Sequence, residues 1–220
     1  MKRYDCLKVL APLVSKDDLV VTNLGGVRVE WNAVRPSDAN YNVFTLGLCS
    51  SVGLGLALAM PHRRVIVLDS DGSLLLNLPS LTTIADQSPG NLVHIVFDNK
   101  AYESAAGGRT HTANRADLAR IAQGAGINNA VRADFLEDFQ AAVEDALASK
   151  ELFFVVARVE IGTAAVAPDP YDALEVKYRF MRHLEKIEGK QLVTLRPPVP
   201  RRAAAYAVTT ALPSSPDPIP

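Results

Sequence analysis

The stretch Val65-Ile-Val-Leu-Asp-Ser-Asp-Gly-Ser73 and a later stretch, Val93-His-Ile-Val-Phe-Asp-Asn99, decide the fold of this chain. Each contains a run of strand length that is apolar at consecutive positions, as expected where both faces of a parallel sheet are covered. Each run ends in a carboxylate or an amide. Because ligands of open parallel sheets bind at the carboxyl ends of the strands, we expect Asp71 and Asn99 to lie close together at that edge.

The residue types at these two strand ends favour a bound metal and a diphosphate. Magnesium prefers hard oxygen ligands, and the Asp71 carboxylate, the Asn99 amide oxygen and the backbone carbonyl of Ala101 would leave positions for two diphosphate oxygens. Gly72 lets the backbone approach closely, and the N–H groups of Gly72 and Ser73 can meet anionic oxygen. Asp-Gly and Asp-Asn are also ordinary turn dipeptides. The prediction therefore depends on their pairing across one βαβ unit.

The rest of the sequence predicts an α/β fold, a single domain with a mostly parallel central sheet covered by helices on both faces. Short apolar runs alternate with helical patterns of about ten to fifteen residues, which is typical of βαβ units. We expect the domain over residues 1–190 and a proline-rich tail, extended or disordered, over residues 191–220. The predicted strands are 19–22, 64–69, 92–98 and 152–159, and the predicted helices are 4–14, 27–34, 47–60, 74–87 with a break at Pro79, 116–125, 135–147 and 173–188.

Composition narrows the classes of protein and of partner. The 220 residues are 48% apolar and 21% charged, and the formal net charge of −1 argues against binding to nucleic acid. Two cysteines suit neither a disulfide framework nor a metal–thiolate site, which favours a reduced, cytoplasmic setting. The uncharged segment 39–61 is long enough to span a bilayer, but its asparagines, serines and glycines favour a loop and a buried helix, hence no membrane span.

The paired motif resembles the signature of thiamine-diphosphate enzymes, in which Gly-Asp-Gly is followed at a distance by Asn. Here Ser70-Asp71-Gly72-Ser73 comes first, and 26 residues, 73–98, separate Gly72 from Asn99. Over about residues 1–185 the chain is similar to the β subunit of sulfopyruvate decarboxylase and to the matching half of phosphonopyruvate decarboxylase. The segments that carry this similarity are 23–25, 46–57, 71–77 and 98–104, followed by Gly107-Gly108.

The resemblance implies which residues bind the cofactor. Asp71, Asn99 and the Ala101 carbonyl would hold magnesium, and Leu46 would lie under the thiazolium ring of thiamine diphosphate. Ser70 and Leu46 stand where near relatives carry Gly and Met. The implied cofactor-binding set is Leu46, Gly47, Ser70, Asp71, Gly72, Ser73, Asn99, Ala101 and Tyr102.

The activity that the resemblance implies is that of a thiamine-diphosphate-dependent 2-oxo-acid decarboxylase, a carbon–carbon lyase in which the cofactor carries the chemistry. The implied substrate is a small 2-oxo acid with an anionic group, such as sulfopyruvate or phosphonopyruvate. The alternatives are a subunit of a carboligase or of a 2-oxo-acid oxidoreductase, and a non-catalytic nucleotide-binding or scaffold α/β domain.

In this family the glutamate that activates the cofactor comes from a separate pyrimidine-binding domain. We therefore expect a companion, α-type subunit in a homo- or hetero-oligomer, and we expect Glu30 and Glu103 to be structural or solvated. Arg109 and His111 are candidate catalytic residues on the substrate side, for an anionic group and for proton transfer, with solvated loop positions as the alternative. His94, in the middle of a predicted strand, is expected to be a hydrogen-bonded core residue.

The predicted helix 47–60 carries small residues four apart, at Gly47, Ser51, Gly55 and Ala59. Residues at this spacing share one face of a helix and permit close approach of another backbone. Two interpretations stay open: tight packing on the chain's own sheet, and contact with another subunit.

Overall fold

Six parallel strands form one sheet, in the order β2-β1-β3-β4-β6-β5, within the part of the chain that the structure describes. The structure is a computed structural model, and it describes residues 1–105 and 107–192. All neighbouring strands pair in parallel, so each connection crosses over the sheet. The strands are β1 Leu19–Thr22, β2 Asn40–Asn42, β3 Val65–Ser70, β4 Leu92–Asp98, β5 Asn129–Ala133 and β6 Phe153–Arg158.

Helices cover both faces of this sheet. They are α1 Arg3–Leu10, α2 Gly26–Val34, α3 Cys49–Ala59, α4 Asp71–Leu75, α5 Ser80–Gln87, α6 Leu118–Gly124, α7 Leu136–Ala148 and α8 Ala173–Glu188. Along β3, Val65 and Val67 belong to the apolar cluster under α3, α5, α6 and α8, whereas Ile66 and Leu68 belong to the cluster under α1, α2 and α7. Successive side chains of a strand point to opposite faces, so a strand buried on both faces is apolar throughout. The predicted fold class is confirmed.

The edge strands β2 and β5 are absent from the sequence-based prediction. Neither contains a continuous apolar run, and Asn40-Tyr41-Asn42 has the composition of a loop. In the structure both asparagines are buried, because Trp31 Nε1 donates to Asn40 Oδ1 at 3.0 Å and Thr22 Oγ1 donates to Asn42 Oδ1 at 2.8 Å. Hydrogen bonds from distant residues thus stabilise a strand that local hydrophobicity does not indicate.

The helix α3 shows which way its small residues face. Gly47 precedes the helix with φ of +84°, a left-handed conformation that glycine adopts readily. A Cβ at Gly53 would overlap Val67 of β3, whereas a Cβ at Gly55 would meet no heavy atom within 4 Å. At Gly55, therefore, the small-residue stripe is not packed on its own sheet, and that interpretation is wrong there. Contact with another subunit stays a prediction.

Two further expectations concern the membrane and the tail. None of the helices in residues 1–105 and 107–192 has the length and apolar character needed to cross a membrane, and the uncharged segment folds as β2 and α3. The predicted tail lies, beyond its first two residues, outside the described residues.

The register of the central strands positions the site. Ser70 pairs with Phe97, and Asp98 pairs with Arg158, so β3, β4 and β6 end at the same edge of the sheet. Asp71 and Asn99 directly follow two of these ends, as the sequence predicts.

Candidate functional site

Ser70 forms the turn from β3 into α4. Its backbone is extended, with φ of −128°, and its Oγ accepts a hydrogen bond from the N–H of Ser73 at 3.3 Å. Because φ is negative, serine fits without strain where the family signature has glycine. Asn23, which follows β1, donates from Nδ2 to Ser70 Oγ at 2.7 Å. Sequence reasoning did not single out Asn23 as a site residue, although it follows a strand in the same way as Asn99 does.

The carboxylate of Asp71 is buried and hydrogen-bonded on one side only. Its Oδ2 accepts from Thr110 Oγ1 at 2.6 Å, and Thr112 Oγ1 lies 3.2 Å from the same oxygen. Its Oδ1 has no hydrogen-bond partner among the residues that the structure describes. Burial raises the pKa of Asp71 to about 6, although the Thr110 hydroxyl acts in the opposite direction. A buried carboxylate oxygen without a donor is a group that a metal ion would satisfy, so Asp71 fits a cation.

The carboxylate of Asp98, the last residue of β4, differs from that of Asp71 because both of its oxygens have partners within the protein. Thr112 Oγ1 donates to Asp98 Oδ1 at 2.6 Å, and Arg158 Nε lies 3.2 Å from Asp98 Oδ2. Within the described ranges, Asp71 has no such basic side chain at ion-pair distance. The protein itself therefore compensates the charge of Asp98 and leaves that of Asp71 for another cation.

Asn99 begins a tight turn at the end of β4. Its Oδ1 accepts from the N–H of Ala101 at 3.0 Å, and its Nδ2 donates to Glu103 Oε2 at 2.7 Å. Lys100, between Asn99 and Ala101, has φ of +64°, and the N–H of Lys100 bonds to Asp98 Oδ1 at 3.1 Å. These bonds hold the Asn99 amide and the Ala101 backbone at the carboxyl edge of the sheet.

One cavity at this edge brings most of the predicted cofactor residues together. A Cβ at Gly72 would lie 2.7 Å from Tyr102 Cδ1, so the close packing of Tyr102 requires glycine there. The N–H of Gly47 donates to Ser73 Oγ at 3.1 Å, which joins the segment before α3 to α4. The predicted residues that line the cavity are Leu46, Ser70, Gly72, Ser73, Asn99, Ala101 and Tyr102.

The two substrate-side candidates lie apart from this cavity lining. Arg109 and His111 are exposed, and Arg109 Nη2 donates to the carbonyl of Ala113 at 3.3 Å. Their neighbours Thr110 and Thr112 are buried and point to Asp71 instead. Sequence reasoning missed the two threonines, and their place on either side of His111 is the signal that points to them. The roles of Arg109 and His111 stay predictions.

Glu30 and Glu103 each bond to other side chains of this chain. Glu30 is buried in an ion pair with Arg3, whose Nε lies 2.6 Å from Glu30 Oε2. Glu103 accepts from Asn99 and also from Thr163 Oγ1 at 3.1 Å. Both glutamates are therefore bonded to other side chains of this chain, as the structural interpretation expects.

The expected hydrogen bond of His94 is not present in the described residues. His94 is buried in the core, as predicted, but its Nε2 lies 3.5 Å from Asp69 Oδ2 and neither ring nitrogen has a hydrogen-bond partner there. Its ring instead packs edge-on against Phe154. The prediction of a core position is confirmed and that of a hydrogen bond is wrong, since the contact of His94 Nε2 with Asp69 Oδ2 falls outside hydrogen-bond geometry.

Comparison with known proteins agrees with this geometry. Residues 30–157 match the thiamine pyrophosphate enzymes through their C-terminal TPP binding domain. The chain belongs to this family. Its thiamine-diphosphate-binding fold, expected from the paired motif, is thereby confirmed.

Curated members of the family include decarboxylases of 2-oxo acids. The chain is 33% identical over 186 residues to the β subunit of sulfopyruvate decarboxylase from Methanocaldococcus jannaschii. The aligned region covers 84% of this chain and 98% of that subunit. It is 36% identical over 186 residues to the sulfopyruvate decarboxylase of Methanosarcina acetivorans, covering 84% of this chain and 48% of that protein. It is also 36% identical over 148 residues to the phosphonopyruvate decarboxylase of Streptomyces viridochromogenes, covering 67% of this chain and 37% of that protein.

A solved structure has a similar fold. The benzoylformate decarboxylase from Polynucleobacter necessarius superimposes with a TM-score of 0.61 and 18% sequence identity, covering 77% of this chain. The chain spans 34% of that longer protein. The thiamine-diphosphate fold of this chain therefore corresponds to one part of a larger enzyme.

Proposed function

We propose that this chain is the diphosphate-binding subunit of a thiamine-diphosphate-dependent decarboxylase of sulfopyruvate, phosphonopyruvate or a similar anionic 2-oxo acid. The observation that carries the proposal is the buried Asp71 carboxylate, which has one oxygen bonded to the Thr110 hydroxyl and the other without a donor in the described chain. The decarboxylase relatives named above support the substrate class.

The residues at the carboxyl edge would hold the cofactor through a magnesium ion. Asp71 Oδ1, Asn99 Oδ1 and the Ala101 carbonyl provide hard oxygen ligands of the kind that magnesium prefers. Ser70, Gly72 and Ser73 would lie against the diphosphate, with Leu46, Gly47 and Tyr102 along the rest of the cofactor. When bound, thiamine diphosphate supplies a nucleophilic carbon and an electron sink for the loss of carbon dioxide.

The chain's own side chains position these ligands and face the substrate. Thr110 donates to Asp71 Oδ2, which leaves Oδ1 as the oxygen that can face the metal. We assign Arg109 to the anionic group of the substrate and His111 to proton transfer, since both are exposed on the loop that follows the proposed metal ligands.

The activating glutamate would come from a companion, pyrimidine-binding subunit. Glu30 is bonded to Arg3 and Glu103 to Asn99, so neither is free to reach the far end of the cofactor. The relative from Methanosarcina supports this, because the chain covers 48% of it and leaves room for a second domain of similar size. We place the complex in the cytoplasm, a setting that the two free, buried thiols support.

A binding experiment tests the proposal. The chain would be purified alone and with its companion subunit, sought first in the adjacent reading frame, and titrated with thiamine diphosphate and magnesium. Asp71→Ala should abolish magnesium-dependent binding, whereas Asp86→Ala, which removes an exposed carboxylate at the end of α5, should leave it intact. The complex should release carbon dioxide from sulfopyruvate or phosphonopyruvate.

Two results would contradict the proposal. Magnesium-dependent binding that survives Asp71→Ala would remove Asp71 from the metal site. Decarboxylation by this chain alone would show that no companion glutamate is required.

A further inference from the structure

We infer that Glu103 is a positioning residue that fixes the orientation of the Asn99 amide, so that its oxygen and not its nitrogen faces the metal. The inference rests on the proposed function and extends it to a residue outside the ligand set. From the sequence alone, Glu103 is expected only to be structural or solvated.

The contacts of Asn99 distinguish the two ends of its amide. Glu103 Oε2 accepts a hydrogen bond from Asn99 Nδ2 at 2.7 Å, and a carboxylate can only accept. The N–H of Ala101 donates to Asn99 Oδ1 at 3.0 Å and leaves this oxygen a second lone pair. Because the amide group binds a hard cation through oxygen, a reversed amide would present two N–H donors to the metal.

The carboxylate of Glu103 is itself held from two sides. Arg3 Nη1 lies 3.5 Å from Glu103 Oε2, and Thr163 Oγ1 donates to Glu103 Oε1 at 3.1 Å. Arg3 is 4% exposed and also pairs with Glu30. The start of α1 and the segment after β6 thus hold the carboxylate that orients Asn99.

A purely structural role for Glu103 would rest on its ion pair with Arg3. That pair is long and the Glu103 side chain is 24% exposed, whereas its bond to Asn99 is short. Pairs with partial exposure contribute little to stability because water screens them. The geometry therefore favours orientation of Asn99 over stabilisation of the fold.

The test is a double-mutant cycle on the full chain with thiamine diphosphate, read out as Mn²⁺ affinity by electron paramagnetic resonance. Glu103→Ala should weaken Mn²⁺ binding about 10- to 100-fold, the usual effect of losing a group that orients a metal ligand. In an Asn99→Asp background the same change should strengthen Mn²⁺ binding, because a carboxylate has two equivalent oxygens and loses a repelling neighbour. Glu160→Gln, which removes an exposed partner of the N-terminus, should change neither value.

The direction in which Glu103→Ala changes Mn²⁺ affinity in the two backgrounds distinguishes an orienting role of Glu103 from a purely structural one. An equal loss of Mn²⁺ affinity in both backgrounds, or no loss in the Asn99 background, would overturn the inference and leave the proposed function standing. Absence of thiamine-diphosphate-dependent Mn²⁺ binding by the unaltered chain would overturn both. If Glu103→Ala does not fold, judged by its thermal unfolding, Glu103→Leu replaces it and should show the same reversal of sign, since leucine fills more of the space and, like alanine, offers no acceptor to Asn99.

Discussion

The surroundings of Asp71 determine what this residue can bind. A carboxylate that accepts a short hydrogen bond from the Thr110 hydroxyl through one oxygen is restricted in rotation, and its second oxygen points in a defined direction. In the described residues that second oxygen has no donor, and the carboxylate is fully buried. Burying a charged group without a partner is costly, so a residue in this state is stabilised when a cation binds.

Thr110 should matter to metal binding although it does not contact the metal in our proposal. Thr110→Val keeps the shape of the side chain and removes the hydroxyl that lies 2.6 Å from Asp71 Oδ2. We expect magnesium affinity in the presence of thiamine diphosphate to fall about 10-fold, because the carboxylate loses the bond that orients it. Isothermal titration calorimetry measures the change.

The matched control for Thr110 is Thr83→Val. Thr83 is an exposed threonine on α5, and neither it nor its helix belongs to the hydrogen bonds of Asp71 described above. Its replacement should leave magnesium affinity unchanged. Equal affinities for Thr110→Val and the unaltered chain would show that the Thr110 hydroxyl does not orient Asp71.

For individual residues, the sequence predicts the site residues that directly follow a strand. It does not predict those that come to the site from another part of the chain. Asp71 and Asn99 are recognisable because each ends an apolar run. Thr110 lies 39 residues from Asp71, and no local pattern connects the two. Reasoning from the neighbouring Arg109 and His111 selected the exposed side chains and missed the buried ones.

Within α3, two glycines two residues apart should respond oppositely to alanine. Gly53→Ala places a methyl group against Val67, and overpacking of this kind costs about 1–3 kcal/mol. Gly55→Ala meets open space and should stabilise the isolated chain by about 0.5–1 kcal/mol, since alanine loses less backbone entropy than glycine in a helix. Urea unfolding of the isolated chain measures both changes in the free energy of unfolding.

The pair also tests the stripe on α3 as a subunit contact. If the companion subunit covers Gly55, Gly55→Ala should weaken the complex even though it stabilises the isolated chain. A Gly53→Ala variant as stable as the unaltered chain would contradict the packing of α3 on β3.

Among the strands, those that are buried on both faces of the sheet are the ones that the sequence predicts. The strands β1, β3, β4 and β6 are apolar at consecutive positions and are predicted within a residue or two of their bounds. The edge strand β2 depends on side-chain hydrogen bonds of Asn40 and Asn42 with residues of α2 and β1. Such bonds are a property of the assembled sheet, so a local sequence pattern cannot report them.

For the whole molecule, the two cysteines report on global unfolding. Cys6 and Cys49 are fully buried, and burial raises the pKa of the Cys6 thiol to about 12 and that of Cys49 well above its usual value. Because the thiolate is the nucleophile, we expect neither to react with iodoacetamide at pH 8 in the folded chain. Both should react in denaturant, as mass spectrometry would show. Rapid labelling of the native chain would contradict the packing of α1 or α3.

The long-range contacts of Arg3 were the least accessible to sequence reasoning. Arg3 bonds to Glu30, to Thr163 and to the carbonyl of Gly162, a separation of up to 160 residues. Nothing around Arg3 in the sequence distinguishes it from a solvated arginine at the start of a helix. Its burial follows from where α1 packs, and that depends on the completed sheet.

Arg3→Met should therefore be one of the most destabilising single changes outside the apolar core. The substitution keeps an unbranched chain of similar length and leaves Glu30, which is 1% exposed, without its cation. Loss of one partner of a buried ion pair costs about 3–5 kcal/mol, because the other charge stays buried. We expect this loss in the free energy of unfolding, measured with urea at pH 7.

The double variant separates the charge from the packing. With Glu30→Gln added, no buried charge remains at residue 30, so part of the lost stability should return. Arg120→Met is the matched control, because Arg120 is 86% exposed and its ion pair with Asp117 is long, at 4.0 Å; its replacement should change stability by less than about 1 kcal/mol. If Arg3→Met proved as mild as Arg120→Met, the Arg3–Glu30 pair would not be buried in solution, and Glu103 would lack the support that orients Asn99.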